Sequence, residues 1–279
     1  MLVKELFAKA LERLEEKNIL VPRYSLERLL GNMLECMPKD VYLHFDKKID
    51  REKFNNLLEQ RLLGKPIEYI LQTAYFCGLE FFINGDVLIP RQETEILVEL
   101  ISKKLSNKDL KGKILLDLCT GSGCIGISLK KRFPNLEVIL SDICPKALEV
   151  AKKNATKNNV EVSAICGDFL EPFSGLKADF IVSNPPYISL DEYPQLSKEV
   201  KDFEPQKALT AGNNGLYFYE QFKNKAPSFL NPKAKVFFEI GYLQKNSLQK
   251  IYSETSFFIK KEFLKDLSGK DRFFFLEIE

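Results

Sequence analysis

From residue 90 onward the sequence switches repeatedly between strand and helix periods, and this alternation constrains the fold more than any other feature. KILLDL, LEVILSD, VEVSAIC, ADFIVS, AKVFFEI and DRFFFLEI are short apolar runs of strand length. Between them GISLKKRF, PKALEVAKKNA, LYFYEQFKNKAPSFL and LQKNSLQKIYS keep helical spacing. Such alternation predicts a mostly parallel sheet covered on both faces, with ligands at the carboxyl ends of the strands. The last two of these strands are close in sequence, so DRFFFLEI is expected to insert antiparallel.

Residues 1–73 read differently, as helices only. Leu2, Leu6, Ala10, Leu11 and Leu14 keep helical spacing, as do Leu26, Leu29, Leu30, Met33 and Leu34, and then Phe54, Leu57, Leu58 and Leu62. Pro22, Pro38 and the Gly64–Pro66 break punctuate them, which predicts a small bundle of four or five short helices. Residues 74–90 predict a connecting β-hairpin, with YFCGLEFFI and DVLI arranged around Asn84-Gly85. Residues 91–279 form the third segment, the α/β domain.

Composition narrows the functional classes. Lysine and arginine number 41 against 39 aspartates and glutamates, nearly balanced within the first 70 residues and within the rest. No global field therefore marks a nucleic-acid binder. No uncharged apolar run approaches membrane-spanning length, and the opening MLVKELFAKALERLEEK reads as an amphipathic helix lacking a signal peptide's long apolar region. Six scattered cysteines, none in a CxxC pair, read as reduced thiols of a cytoplasmic protein. The single histidine, His44, lies far from any motif, so neither a zinc site nor a histidine base is expected.

The loop after the first strand of the α/β domain reads LLDLCTGSGCIG, in which Gly121, Gly123 and Gly126 form G-x-G-x-x-G. Asp142 closes the next strand, placed to accept hydrogen bonds from ribose hydroxyls. These features also fit a dinucleotide site. Asp117 separates the two readings. At a strand end its carboxylate would repel a pyrophosphate but suits a ligand carrying an ammonium and a sulfonium, such as S-adenosylmethionine. After the third strand, Asp168 and Phe169 are placed to meet adenine, one by hydrogen bond and the other by apolar packing.

The run Phe180-Ile181-Val182 stops at Asn184-Pro185-Pro186-Tyr187. Two prolines cannot continue a strand, but they hold neighbouring acceptors rigid. A planar –NH2 group is a poor nucleophile because its lone pair is delocalised. The Asn184 side-chain oxygen and the Pro185 carbonyl can each accept one of its N–H bonds, turning the nitrogen toward an electrophilic methyl. Tyr187 is placed to pack on the planar group. Adenine, cytosine, guanine and glutamine all carry such a group, so the turn fixes the chemistry and leaves the substrate open.

Several further stretches carry a resemblance: GKPIEYIL (64–71), LIPRQETE (88–95), LLDLCTGSGCIGISL (115–129), SNPPYI (183–188), DFEPQKALTAGNNGL (202–216), FFEIGY (237–242) and LKDLSGKDRFFF (264–275). In this order the chain resembles the bacterial release-factor glutamine methyltransferases, the HemK/PrmC family, over essentially its full length. The resemblance implies a Rossmann-like S-adenosylmethionine-dependent methyltransferase domain of the α/β class with a small N-terminal helical bundle that binds substrate. It implies cofactor contacts at Cys119, Thr120, Gly121, Ser122, Gly123, Asp142, Phe169 and Asn184, and substrate contacts at Asn184, Pro185, Pro186 and Tyr187. The implied reaction is N5-methylation of the glutamine in the Gly-Gly-Gln loop of class I peptide chain release factors, with Asn184 and Pro185 catalytic. Alternatives are a ribosomal-protein glutamine methyltransferase and an adenine-N6 methyltransferase. Two departures from the general methyltransferase pattern stand out. Cys119 replaces the first glycine of the loop, and Phe169 stands where some relatives have tryptophan.

Overall fold

The computed structural model describes residues 1–279. The chain divides into two compact units, Met1–Thr73 with Ser197–Phe203, and Ala74–Leu196 with Glu204–Glu279.

The first unit is helical. It comprises α1 (Val3–Glu16), α2 (Pro22–Leu34), α3 (Arg51–Leu62) and α4 (Ile67–Leu71), with a 3-10 turn at Pro38–His44. Leu6, Ala10 and Leu14 from α1 meet Leu26, Leu29 and Leu30 from α2 and Phe54 and Leu58 from α3 in one buried cluster. Helical periodicity puts these apolar side chains on one stripe of each helix, and the stripes face one another. Pro22 opens α2 where a missing N–H is harmless. The Asp50 carboxylate caps α3 by accepting the amides of Glu52 and Lys53.

Arg61, only 2% exposed, is the polar centre of this unit. Its guanidinium donates to the Ser25 hydroxyl at 3.0 Å, to the carbonyls of Leu20 and Lys65 at 3.1 Å each, and to Glu199 at 2.9 Å. Glu199 belongs to the short helix Lys198–Phe203. The sequence pattern places all of 91–279 in the α/β domain. This ion pair, together with the packing of Phe203 near Gly64, groups Ser197–Phe203 with the helices instead.

The second unit begins with a two-stranded hairpin, β1 (Thr73–Phe76) and β2 (Leu79–Phe82). Its turn is at Cys77-Gly78, both with positive φ of 50° and 76°, and not at Asn84-Gly85. Two successive left-handed residues match the right-handed twist of the flanking strands, so this pair makes the tighter hairpin. Asn84 serves a local turn, its side-chain oxygen accepting the Asp86 amide at 3.0 Å, and the DVLI run is not a strand.

After α5 (Gln92–Leu105) come β3 (Ile114–Leu118), α6 (Cys124–Arg132), β4 (Glu137–Asp142), α7 (Pro145–Lys157), β5 (Ser163–Cys166), β6 (Ala178–Ser183) and β7 (Leu230–Glu239). β8 (Phe258–Lys265) and β9 (Asp271–Ile278) complete a seven-stranded sheet in the order β5-β4-β3-β6-β7-β9-β8. β3 to β7 are parallel, whereas β9 runs antiparallel to both β7 and β8. All six residues of central β6 are buried, as a strand covered on both faces requires. Strand order reverses beside β3. Loops leaving β3 and β6 therefore diverge and open a crevice at their carboxyl ends. No helix is long and apolar enough to cross a membrane.

The Arg61 network predicts a measurable cost. Arg61→Ala leaves Glu199 and three acceptors without their donor, and is expected to destabilise the helical unit by about 3–5 kcal/mol. Hydrogen exchange of amides in residues 1–73 checks this; a loss under about 1 kcal/mol there contradicts it.

Candidate functional site

A cavity of about 460 Å³ opens at the carboxyl ends of β3, β4, β5 and β6. Cys119, Thr120, Gly121, Ser122, Asp142, Asp168, Phe169, Asn184 and Pro186 line it, so residues from four separate loops converge as the sequence suggested. Gly123, Pro185, Tyr187 and Asp117 are not among the residues that line it.

Asp117 is fully buried near the end of β3. Its Oδ2 accepts the Thr120 hydroxyl at 2.6 Å and the Gly126 amide at 2.9 Å, while Oδ1 has no hydrogen-bond partner. The carboxylate thus sits under the loop instead of at the cavity surface where the sequence reading put it. Burial pushes its pKa up to about 7, outweighing the two hydrogen bonds that favour the charged form. A Cβ at Gly126 would stand 2.9 Å from Oδ2 and against Leu140, so only glycine lets α6 approach the sheet this closely.

Asp142, at the end of β4, is the second anchor. Its Oδ2 accepts the Gly121 amide and its Oδ1 the Cys144 amide, each at 2.9 Å. Burial raises its pKa against these bonds. A carboxylate offers about four lone-pair directions, so two remain for hydroxyls presented from the cavity. Cys119 adopts φ +56°, a left-handed conformation that costs a non-glycine residue roughly 1–2 kcal/mol. This explains the glycine usual at that place, and its thiol pKa is pushed up by burial.

The loop amides decide what kind of ligand fits. Thr120 donates to the Ser141 carbonyl, Gly121 to Asp142, Gly123 to the Thr120 carbonyl and Gly126 to Asp117. A diphosphate needs such amides free and pointing at it. These four are taken, two of them by carboxylates, which disfavours an anion beside them. The arrangement fits a ligand carrying positive charge and ribose hydroxyls.

Phe169 packs edge-to-face against Phe218 with ring centroids 5.2 Å apart, and both rings line the cavity as an apolar wall. The neighbouring Asp168 carboxylate takes part in no hydrogen bond or ion pair of the protein. Pro205 to Ala208 close another side. Buried Glu204 anchors that segment by accepting the Ile89 amide at 3.4 Å and pairing with Arg91.

Asn184 follows β6 directly. Its Nδ2 donates to the Thr94 hydroxyl at 3.2 Å, which donates in turn to Glu239 Oε2 at 2.7 Å. Neither Asn184 Oδ1 nor the Pro185 carbonyl accepts a hydrogen bond within the protein. Pro186, not Tyr187, presents its face to the cavity. The Tyr187 ring packs against the core with its hydroxyl 3.5 Å from Glu239 Oε1, and its carbonyl accepts the Gln244 side chain at 3.0 Å. Thr94 and Glu239 lie in LIPRQETE and FFEIGY, stretches that carried the family resemblance but no assigned role. What marked them was an acidic and a hydroxyl residue at the edges of apolar runs, a signal too common to single out.

Comparison with known proteins shows what the chain is similar to. Residues 91–200 match the family model "Methyltransferase small domain", and residues 5–71 match "PrmC N-terminal domain". A release factor glutamine methyltransferase of Chlamydia trachomatis serovar D is 38% identical over 99% of this chain and 94% of its own length. One from Bacillus subtilis is 39% identical over 88% of this chain and 83% of its own length. Among solved structures, a methyltransferase from Pyrococcus furiosus superposes with TM-score 0.53 at 21% identity, covering 80% of this chain and 98% of its own. A Thermus thermophilus 16S rRNA N2 G1207 methyltransferase, solved with AdoMet and guanosine, gives TM-score 0.53 at 18% identity over 74% of this chain and 50% of its own. At these identities the two structures establish the fold alone.

The buried Asp117 predicts a pH-dependent stability. An unfolded aspartate releases its proton near 3.8, whereas folded Asp117 keeps it to about 7. Protonation therefore favours the folded state, and that stabilisation is lost as pH rises through this window. Asp117→Asn retains an acceptor and carries no charge. Its melting temperature relative to the unsubstituted protein is expected to rise from pH 5 to about pH 7 and then level off, measured calorimetrically; a difference independent of pH contradicts the assignment.

Proposed function

Because this chain belongs to the release factor glutamine methyltransferase family, we propose that it transfers a methyl group from S-adenosylmethionine to the side-chain amide nitrogen of a glutamine. The glutamine is that of the Gly-Gly-Gln loop in class I peptide chain release factors, and the enzyme acts in the cytoplasm. The observation that carries the reading is the half-buried Asn184 at the cavity wall, its Nδ2 committed to Thr94 and its Oδ1 without a partner.

The residues fit the cofactor. Asp142 would hold the ribose hydroxyls, Phe169 the adenine face and Asp168 its exocyclic amine. The loop Cys119–Gly123, pinned by Asp117, would shape the space for the amino-acid part. When bound, S-adenosylmethionine supplies an electrophilic methyl group on a sulfonium. Asn184 Oδ1 and the Pro185 carbonyl each accept one N–H of the incoming amide, fixing the nitrogen's direction and favouring the positive charge that grows on it. The rigid Pro185-Pro186 pair keeps those two acceptors from relaxing away, and Tyr187 backs the turn. No strong base is required, since a methylated amide nitrogen bearing positive charge loses its proton readily. Glycines flanking the glutamine let the substrate backbone enter a narrow site. A free glutamine offers little else to recognise, so residues 1–73 are proposed to hold the body of the release factor and raise the loop's local concentration.

The decisive experiment presents labelled cofactor to purified class I release factor, ribosomal protein, DNA and RNA in parallel. Methylation of the release factor on its Gly-Gly-Gln glutamine is expected; label on any of the others alone overturns the reading. Asn184→Ala is expected to slow the transfer by about two to three orders of magnitude, as loss of one transition-state contact does elsewhere. Its calorimetric cofactor affinity should remain near that of the unsubstituted enzyme. Asp142→Ala, by contrast, should weaken cofactor binding by roughly 1.5–3 kcal/mol. Unchanged binding by that variant removes Asp142 from the cofactor site.

A further inference from the structure

One buried carboxylate holds both ends of the Asn184–Tyr187 turn. Glu239 closes β7 and is 1% exposed. Its Oε2 accepts the Thr94 hydroxyl, which accepts the Asn184 amide, and its Oε1 faces the Tyr187 hydroxyl. Glu239 does not line the cavity, so it cannot touch a substrate. Nor does its side chain join β7 to the sheet, since position 239 pairs with Phe273 of β9 along the backbone and its carbonyl also accepts the Tyr219 hydroxyl at 2.8 Å.

We infer that Glu239 is a positioning residue which, through Thr94, dictates which end of the Asn184 amide faces the cavity. This deepens the function proposed above and rests on it. The reasoning is donor and acceptor accounting. A carboxylate can only accept, so the Thr94 proton must point at Glu239. The Thr94 oxygen then offers only a lone pair to Asn184, and only Nδ2 can occupy that place. Oδ1 is left as an acceptor at the cavity wall, which is what an incoming –NH2 group requires. A protonated Glu239 reverses the order. Its own proton passes to a hydrogen bond with the Thr94 oxygen, and the Thr94 proton turns to Asn184. The amide then rotates by half a turn to bring Oδ1 to Thr94, and the cavity receives a donor that opposes the substrate's N–H bonds.

The surroundings of Glu239 set where this happens. The positive charge of Arg272 on β9 and the hydrogen bonds from Thr94 and Tyr187 favour the ionised form. Burial is the largest influence, with Glu93 of α5 acting in the same direction, and together they push the pKa up to about 7. Tyr219 and Cys124 also lie close by, their phenol and thiol protons, respectively, held firmly by burial. The proton balance of Glu239 therefore changes near neutral pH.

The test measures single-turnover methyl transfer to the release factor at saturating cofactor, for the unsubstituted enzyme and three variants. The unsubstituted rate is expected to fall about tenfold per pH unit below 7, as one required deprotonation dictates. Glu239→Gln should be flat between pH 6 and 8. Thr94→Val, which removes the hydroxyl while keeping the shape, should be slower by about tenfold or more at pH 8. Its cofactor affinity should change by less than about threefold, and Thr94→Ser should restore most of the loss. A second readout needs no turnover. In the nitrogen-15 spectrum of the ligand-free protein, the Asn184 side-chain amide should titrate with a midpoint near 7, and Glu239→Gln should abolish that titration. The inference is overturned if the acid limb persists in Glu239→Gln, if Thr94→Val keeps the full rate, or if Thr94→Ser fails to restore it. An unsubstituted enzyme that does not methylate the release factor overturns the proposed function instead, while the Asn184 titration still decides the coupling.

Discussion

The Oδ2 atom of Asp117 gathers the Thr120 hydroxyl and the Gly126 amide, and so grips the loop after β3 together with the first turn of α6. Asp142 takes the Gly121 amide from the neighbouring strand. The loop is thereby stretched between two adjacent strand ends of the sheet, and its free face becomes the floor of the cavity. Remove the hold and Cys119 has no reason to keep a left-handed backbone that disfavours it. Gly126 in turn exists for this carboxylate, since any side chain there would displace it.

Buried acids recur around the site, and each one costs stability that a merely well-folded sheet would not forgo. Asp117, Asp142 and Glu239 all have pKa values raised chiefly by burial. Their hydrogen-bond partners are mainly backbone amides and hydroxyls, not salt bridges. Such partners fix direction more firmly than a flexible lysine would, because they come from rigid elements. The strain and the uncompensated charge are thus concentrated in the crevice where strand order reverses, and the apolar layers behind it, rich in phenylalanine, carry the compensating burial.

Much of this was legible in the sequence, and the failures have physical causes. Helical spacing located the bundle, and strand-helix alternation located the parallel sheet, because both report continuous burial of one face. β8 gives no strand signal because FIKKEFLK at the sheet edge has three lysines and a glutamate, so its apolar content is too thin. Asn84-Gly85 is the commoner hairpin turn and so draws the sequence expectation, whereas Cys77, a residue type that rarely takes positive φ, gives no turn signal although its φ is 50°. Within the site, the loop and the Asn184–Tyr187 turn could be read because their composition is odd at a strand end. Thr94 and Glu239 could not, since 144 intervening residues separate two ordinary side chains whose 2.7 Å contact only the folded chain creates. The same holds for Asp117, whose residue type suggested a ligand contact and whose burial gives it a structural one.

Asn154 of α7 is completely buried and uses both ends of its amide. Its oxygen accepts the Phe82 amide at 2.7 Å, and its nitrogen donates to the carbonyls of Phe82 and Ser122 at 2.9 Å each. One side chain thus plays the part of a neighbouring strand for β2 and a rivet for the glycine loop. The mechanical result is that hairpin and loop form a single stiff bracket around the cofactor end of the crevice. The other wall, Pro205–Ala208, is tied down by an ion pair, Glu204–Arg91, next to it in the chain, so the two sides of the crevice are held by different kinds of contact.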